Sequence, residues 1–368
     1  MNKQRLINTF KKLVQIDSPS LKEGKIVDYL QKELTAIGLK PRAAGRPNGG
    51  EAKNLIVELP GKGPRVLLNA HIDTVTHKGQ IQPVEKKGYI VSVGKTILGA
   101  DDKAGVAAIL EILRSIKENK LAHPNLRIIF TVAEEIGLVG VKTLPKSLLK
   151  ADFGIVLDGG DLFAVVNKAP SQVNLTAAII GKAAHAGIHP EQGINAIKVA
   201  SEAIAKMKIG RINKETTANI GVIEGGKATN IIPDRVEIKG EARSHNPRAL
   251  KKQVKHMEKI LRQACARHKA KLELKVKTVY NSFEIKKLAR VVKLAVAALE
   301  KSGVKPVVRQ TGGGSDANIF NAAGTPTIIM GMGADHVHTD AERLKIKDLV
   351  KGTAVVLALL KSITVTPQ

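Results

Sequence analysis

Thiol chemistry is almost missing from this chain. Cys265 is its only cysteine in 368 residues, so no internal disulfide forms and a Cys-rich zinc motif is excluded. A cytoplasmic setting is the simplest expectation. Aromatic residues make up 2% and tryptophan is absent, which leaves few platforms for stacking nucleic-acid bases. No apolar run approaches the roughly 20 residues that span a membrane. The opening segment MNKQRLINTFKKLVQID is charged, with helical spacing, and lacks the apolar stretch and small-residue cleavage site of a signal peptide. Acidic residues are few beside basic ones, 33 against 59, giving a formal net charge of +26. That charge attracts nucleic acid non-specifically. The lysines are scattered along amphipathic stretches such as ALKKQVKHMEKILRQACARHK, however, and no Arg-rich tail exists. A solvated basic surface is expected, rather than a nucleic-acid site.

What the chain does have is apolar patterning, with 43% hydrophobic residues. Residues 3–15 and 22–37 carry apolar side chains at spacings of 3 and 4, the helical signature. NLIVEL, RVLLNA, RIIFTV and FGIVLD read as strands, with DKAGVAAILEILRSI as a helix among them. This alternation predicts an α/β domain, a mainly parallel sheet with helices on both faces. From residue 171 the style changes. SQVNLTAAIIG, NAIKVASEAIAKMK, TANIGVIEGG, DRVEIKGEARS, PRALKKQVKHMEKILRQACARH and KLELKVKTVY follow in the order β-α-β-β-α-β, which predicts a ferredoxin-like α+β domain of four strands. Helix–strand alternation then returns. The expected division is 1–170 with 282–368 as one domain, interrupted by 171–281.

The acidic and imidazole groups fall at strand ends. His71 and Asp73 follow RVLLNA, and Glu134 and Glu135 end RIIFTV. Asp158 ends FGIVLD, Asp101 and Asp102 open a helix, and His338 follows TPTIIMGM. Each has an ordinary reading: a helix cap, a core histidine, an exposed turn. In open α/β sheets, however, ligands bind beyond the carboxyl ends of the strands, and several segments here deliver such groups to one edge. Nitrogen and carboxylate donors without thiolate suit Zn²⁺, Co²⁺ or Mn²⁺. Two imidazoles with at least three carboxylates fit two ions roughly 3.5–4 Å apart. Of the adjacent pair Glu134 and Glu135, one can bind metal while the other handles a proton.

NAHIDTV, LGADDKAGVAAI, TVAEEIGLVG, LDGG and HVHTD, in that order, resemble the cocatalytic zinc peptidase superfamily that contains peptidase T, glutamate carboxypeptidase and aminoacylase. The likeness is nearest to the peptidase T-like tripeptidases and covers essentially the whole chain. It implies His71 on one metal, His338 on the other and Asp101 bridging them, with Glu135 and Asp158 each completing one site. It implies Asp73 as an acid orienting His71, Glu134 as general base, and a cis peptide after Asp101. It makes the inserted domain a lid and dimerisation domain, with His185 polarising the scissile carbonyl and Asn230 and Arg243 as contacts to the substrate carboxylate. The implied activity is a cytoplasmic, homodimeric aminotripeptidase with two divalent metals per chain, zinc first and cobalt or manganese as alternatives. Two other readings stay open: an N-acyl amino acid deacylase or carboxypeptidase on the same centre, and a basic nucleic-acid-binding protein on an inactive hydrolase fold.

Overall fold

The computed structural model describes residues 1–365, and the chain divides into two compact units. One comprises Met1–Lys168, Glu284–Thr311 and the chain from Ser315 onward; the other comprises Ala169–Phe283 with Gly312–Gly314.

The first unit is built on a mixed, mainly parallel sheet. At its centre, strand Arg65–His71 pairs in parallel with Asn125–Thr131 on one side and with Phe153–Val156 on the other. Thr327–Met330 continues the parallel order beyond Phe153–Val156. Asn54–Leu59 pairs antiparallel with Asn125–Thr131. The central strands are buried on both faces along nearly their whole length and are mainly apolar, without a polar alternation. Helix Ala100–Glu118 packs on strand Arg65–His71 and against helices Lys3–Val14 and Ile346–Val365. Its residues from Asp102 to Ser115 are all buried, and the charged ones after Asp102 have partners: Lys103 on the Ile16 carbonyl, Glu111 with Arg5 and Arg114 with Glu33. The parallel register aligns His71 with Thr131, and Asn69 with Val156. The segments that follow these strands therefore leave the sheet at a common edge.

A small antiparallel sheet was not foreseen. Pro83–Lys86 pairs with Tyr89–Ser92, which pairs with Arg343–Lys345, which pairs with Ala334–Asp335. Its strands are two to four residues long and half exposed, too short for periodicity to reveal.

The second unit carries an antiparallel sheet in the order Gly210–Asn213, Thr216–Gly225, Arg235–Ser244, Ser171–Ile180, Lys271–Tyr280. The four longer strands follow the ferredoxin-like order. Gly210–Asn213 is an added edge strand; it is polar and mostly exposed, and so gave no apolar alternation. Helices Ala196–Lys206 and Pro247–Arg267 pack on the sheet and on each other. The second of these starts where Asn246 accepts N–H bonds from Arg248 and Ala249, with Pro247 in the first turn. Among the described residues, no helix is long and apolar enough to cross a membrane.

Candidate metal centre

Asp101 lies between two imidazoles. Its Oδ1 is 3.0 Å from His71 Nε2, and its Oδ2 is 3.2 Å from His338 Nε2. His338 Nε2 also lies 3.0 Å from Glu135 Oε1. The donor atoms of His71, Asp101 and Glu135 lie within 4.8 Å of one another, as do those of His71, Asp102 and Asp158. Six donors from five chain segments thus gather at the carboxyl edge of the parallel sheet.

The local backbone explains how adjacent aspartates serve different ends. The Asp101–Asp102 peptide is cis, as the resemblance implies, and both residues lie outside helical φ/ψ. Asp102 Oδ1 accepts the N–H of Gly105 at 3.1 Å, a cap on the regular helix. Asp102 thus caps the helix with Oδ1 and leaves Oδ2 toward the cluster, while Asp101 faces the two imidazoles.

Asp73 is fully buried and organises the neighbouring loop. Its carboxylate accepts the backbone N–H of Glu134 at 3.0 Å and of Glu135 at 3.2 Å, and the Ser20 hydroxyl at 2.7 Å. His71 Nδ1 lies 3.0 Å from the Asp73 carbonyl oxygen and 3.4 Å from its Oδ1. The imidazole is thus held from behind by Asp73, with the backbone oxygen the nearer partner, and Nε2 faces the cluster.

The site holds more negative charge than its own cations balance. Burial pushes the Glu134 carboxyl well above the ordinary carboxylate range; His71 opposes this, while Asp158, Asp316 and Glu135 add to it. Burial likewise raises Asp158, reinforced by Asp101 and Asp102. Asp102 is raised by burial too, and its buried Oδ2 has no hydrogen-bond partner. The hydrogen bonds to Asp101 and Glu135 raise the His338 imidazole to about 10. His71 is pulled down by burial, but Asp101 and Asp73 outweigh that and leave it raised. An orphaned buried carboxylate oxygen among N and O donors is what a divalent cation would satisfy, so the residues fit a dinuclear site.

A pH effect follows. Asp101 is the exception among these groups: burial raises its carboxyl, but His338 and His71 outweigh that and hold it low. The raised carboxyls and the raised imidazoles both mean that, at these groups, the metal-free folded state binds more protons than the unfolded chain. Stability from these groups is full at low pH and is lost as pH climbs through their folded values, up to about 10 for His338. Divalent metal replaces those protons. The gap in melting temperature between metal-loaded and chelator-treated protein is expected to widen from about pH 5 to about pH 9, with protons released on metal addition. Thermal melts in paired buffers check this; a constant or narrowing gap contradicts it.

Three carboxylates at the site were not foreseen. Glu342, 3% exposed, accepts N–H bonds from Leu98 and Gly99 on Oε2, each at 2.8 Å, and from Ala100 and Asp101 on Oε1, at 2.8 and 3.1 Å. Glu23, also buried, accepts the N–H groups of Leu21 and Ala133. Asp316 Oδ2 lies 2.5 Å from Thr131 Oγ1 and 3.3 Å from Asn69 Nδ2, and burial lifts its carboxyl to about 6. Asp316 sits in the glycine-rich stretch QTGGGSDANIF. The only sequence signal for Glu342 is its place four residues past His338.

His185, Asn230 and Arg243 lie in the second unit. His185 is exposed, and its Nδ1 accepts the Gly187 N–H at 3.1 Å. The Asn230 carbonyl accepts the Ala186 N–H at 2.9 Å, which sets the His185 and Asn230 loops side by side. Arg243 donates to both carboxylate oxygens of Glu241, at 2.8 and 3.0 Å.

The family model for "Peptidase family M20/M25/M40" matches residues 67–362. A tripeptidase from Staphylococcus aureus has a crystal structure that superposes with a TM-score of 0.92, at 41% identity over 100% of both chains. An aminopeptidase PepT from Bacillus cereus superposes with a TM-score of 0.84, at 40% identity over 99% of both. The Bacillus subtilis protein YqjE is 39% identical over 98% of this chain and 99% of its own length.

Proposed function

We propose a function from the premise that this chain belongs to peptidase family M20/M25/M40: it is a dinuclear-metal peptidase of small peptides, and within that class an aminotripeptidase. The observation that carries this reading is the Asp101 carboxylate, with one oxygen at His71 and the other at His338. His71, Asp101 and Asp158 would hold one ion, and His338, Asp101 and Glu135 the other. Zinc suits these donors first, cobalt and manganese next. Bound there, the ions would polarise the scissile carbonyl and acidify the attacking water.

Glu134 is the general base in this reading. Its backbone is pinned by Asp73, and its carboxyl is buried among acids that favour holding a proton. It takes the proton as water attacks and returns it to the departing amine. In this scheme His185 Nδ1 accepts from Gly187, which leaves Nε2 to donate to the carbonyl oxygen as charge develops there. Arg243 would receive the substrate carboxylate with Asn230, an arrangement in which Glu241 keeps the guanidinium oriented. The second unit then acts as lid and as the dimer contact, in a cytoplasmic protein. The S. aureus and B. cereus relatives, a tripeptidase and an aminopeptidase, support peptide substrates over acylated amino acids.

The test is elemental analysis followed, on the same sample, by hydrolysis of a panel of tripeptides, dipeptides and N-acetyl amino acids with and without chelator. About two metals per chain and chelator-sensitive release of N-terminal residues from tripeptides is the expected result. Two metals with cleavage of N-acetyl amino acids alone would transfer the site to deacylation. A chain that takes up no metal and shifts nucleic acid in a salt-sensitive way would replace the reading altogether.

A further inference from the structure

The two loops that meet at Asp101 and His338 are joined by a carboxylate that ligates nothing. Glu342 follows His338 in the loop HVHTDAER, yet all four of its hydrogen bonds go to the other loop. They take the N–H groups of Leu98, Gly99, Ala100 and Asp101. These donors run along the segment that leads into the kink at Asp101 and Asp102, ahead of the regular helix that Asp102 caps. Four successive backbone N–H groups there donate to one carboxylate, and the place suits an anion because buried backbone donors need acceptors. The small antiparallel sheet adds a second tie. Strand Arg343–Lys345, which begins beside Glu342, pairs with Tyr89–Ser92, the strand that leads into residues 98–101. Arg343 reinforces it by pairing with Asp335 and lying 4.8 Å over the Tyr89 ring.

We propose that Glu342 is a positioning residue for the metal pair: it fixes the backbone of Asp101 from the loop that carries His338, so that the two ligands reach the shared site as one body. The inference rests on the dinuclear reading above and concerns how that site is assembled. Without the carboxylate, the tie through the small sheet would remain, but the backbone at Asp101 would no longer be held directly from the His338 loop. Groups that orient ligands from behind commonly govern metal affinity by about 10- to 100-fold.

The test compares the full-length protein with Glu342→Gln, which is almost isosteric but turns an amide NH₂ toward backbone donors. Metal affinity is read by chelator competition, and the electronic absorption spectrum is recorded on the cobalt-substituted protein. Hydrogen exchange at amides 98–101 reports whether the contact is broken. The expected result is faster exchange at these amides, metal affinity about 10- to 100-fold weaker, and an altered cobalt spectrum. At saturating metal, kcat is expected to fall with KM within about threefold of the wild type. Faster exchange at 98–101 with unchanged affinity and spectrum overturns the proposal, whatever happens to the melting temperature. If Glu342→Gln does not fold, Glu342→Asp carries the same test: it keeps the charge, loses one methylene and is expected to show intermediate affinity. Wild-type affinity in that variant, with amides 98–101 exchanging fast, overturns it equally. A wild-type protein that binds two metals but cleaves no peptide removes the substrate reading and leaves this test in force.

Discussion

Glu134→Gln is expected to keep two metals per chain and lose turnover by about 10²- to 10⁴-fold, the usual share of a positioned proton carrier. The substitution preserves size and leaves the bond from the Glu134 N–H to Asp73 intact, because that bond uses the backbone. It also leaves Asp101, Glu135, Asp158, His71 and His338 in place, so elemental analysis should match the wild type. The loss is expected in kcat, with KM little changed, because in the proposed role the carboxylate acts on the water rather than on the bound peptide. Its pH profile should flatten on the acid limb, where Glu134 in the native enzyme must give up its proton before it can accept one. Near-normal turnover by Glu134→Gln would remove the residue from the mechanism.

Asp101→Ala is expected to have the opposite signature: metal itself is lost. Each oxygen of Asp101 faces a different imidazole, so one truncation removes a donor from both sites at once. What remains is His71 with Asp102 and Asp158 on one side and His338 with Glu135 on the other. The second of these is the poorer set, with two donors only and His338 half-exposed. Metal content well below two per chain, with loss of peptide hydrolysis, is the expected outcome by elemental analysis and assay. Asp101→Asn keeps one carbonyl oxygen and should retain more metal than the alanine variant. Two tightly held metals in Asp101→Ala would mean that Asp102, with its unpartnered buried oxygen, bridges in its place.

The catalytic sheet was legible because burial on both faces leaves long apolar runs, and because acids at the ends of such runs are conspicuous. NLRIIFT followed by Glu134 and Glu135 can be read without coordinates. Glu342 could not be read in that way. Its partners are backbone N–H groups more than two hundred positions earlier, and backbone donors leave no mark in a sequence. Asp316 was hidden for a related reason: its neighbours Thr131 and Asn69 belong to strands distant in the chain. The edge strand Gly210–Asn213 and the short pairings of Pro83–Lys86 with Tyr89–Ser92 escaped because exposed, brief strands have no need of apolar alternation. Asp73 was legible as a residue beside His71, but its grip on the Glu134 and Glu135 backbone was not.

The parallel pairing of Phe153–Val156 with Thr327–Met330 joins strands that lie on either side of the whole inserted unit in the chain. Such a contact has high order, and the entropy of closing so long a loop must be overcome before the pairing gives anything back. On a ribosome, residues 71 to 158 emerge well before His338 does. A nascent chain therefore carries four of the five proposed metal ligands but lacks His338 while its own segments are still unfolded and open to cleavage. The last ligand arrives together with the strand that completes the parallel sheet, so the capacity to cut peptides matures only when the enzyme is no longer a flexible peptide itself.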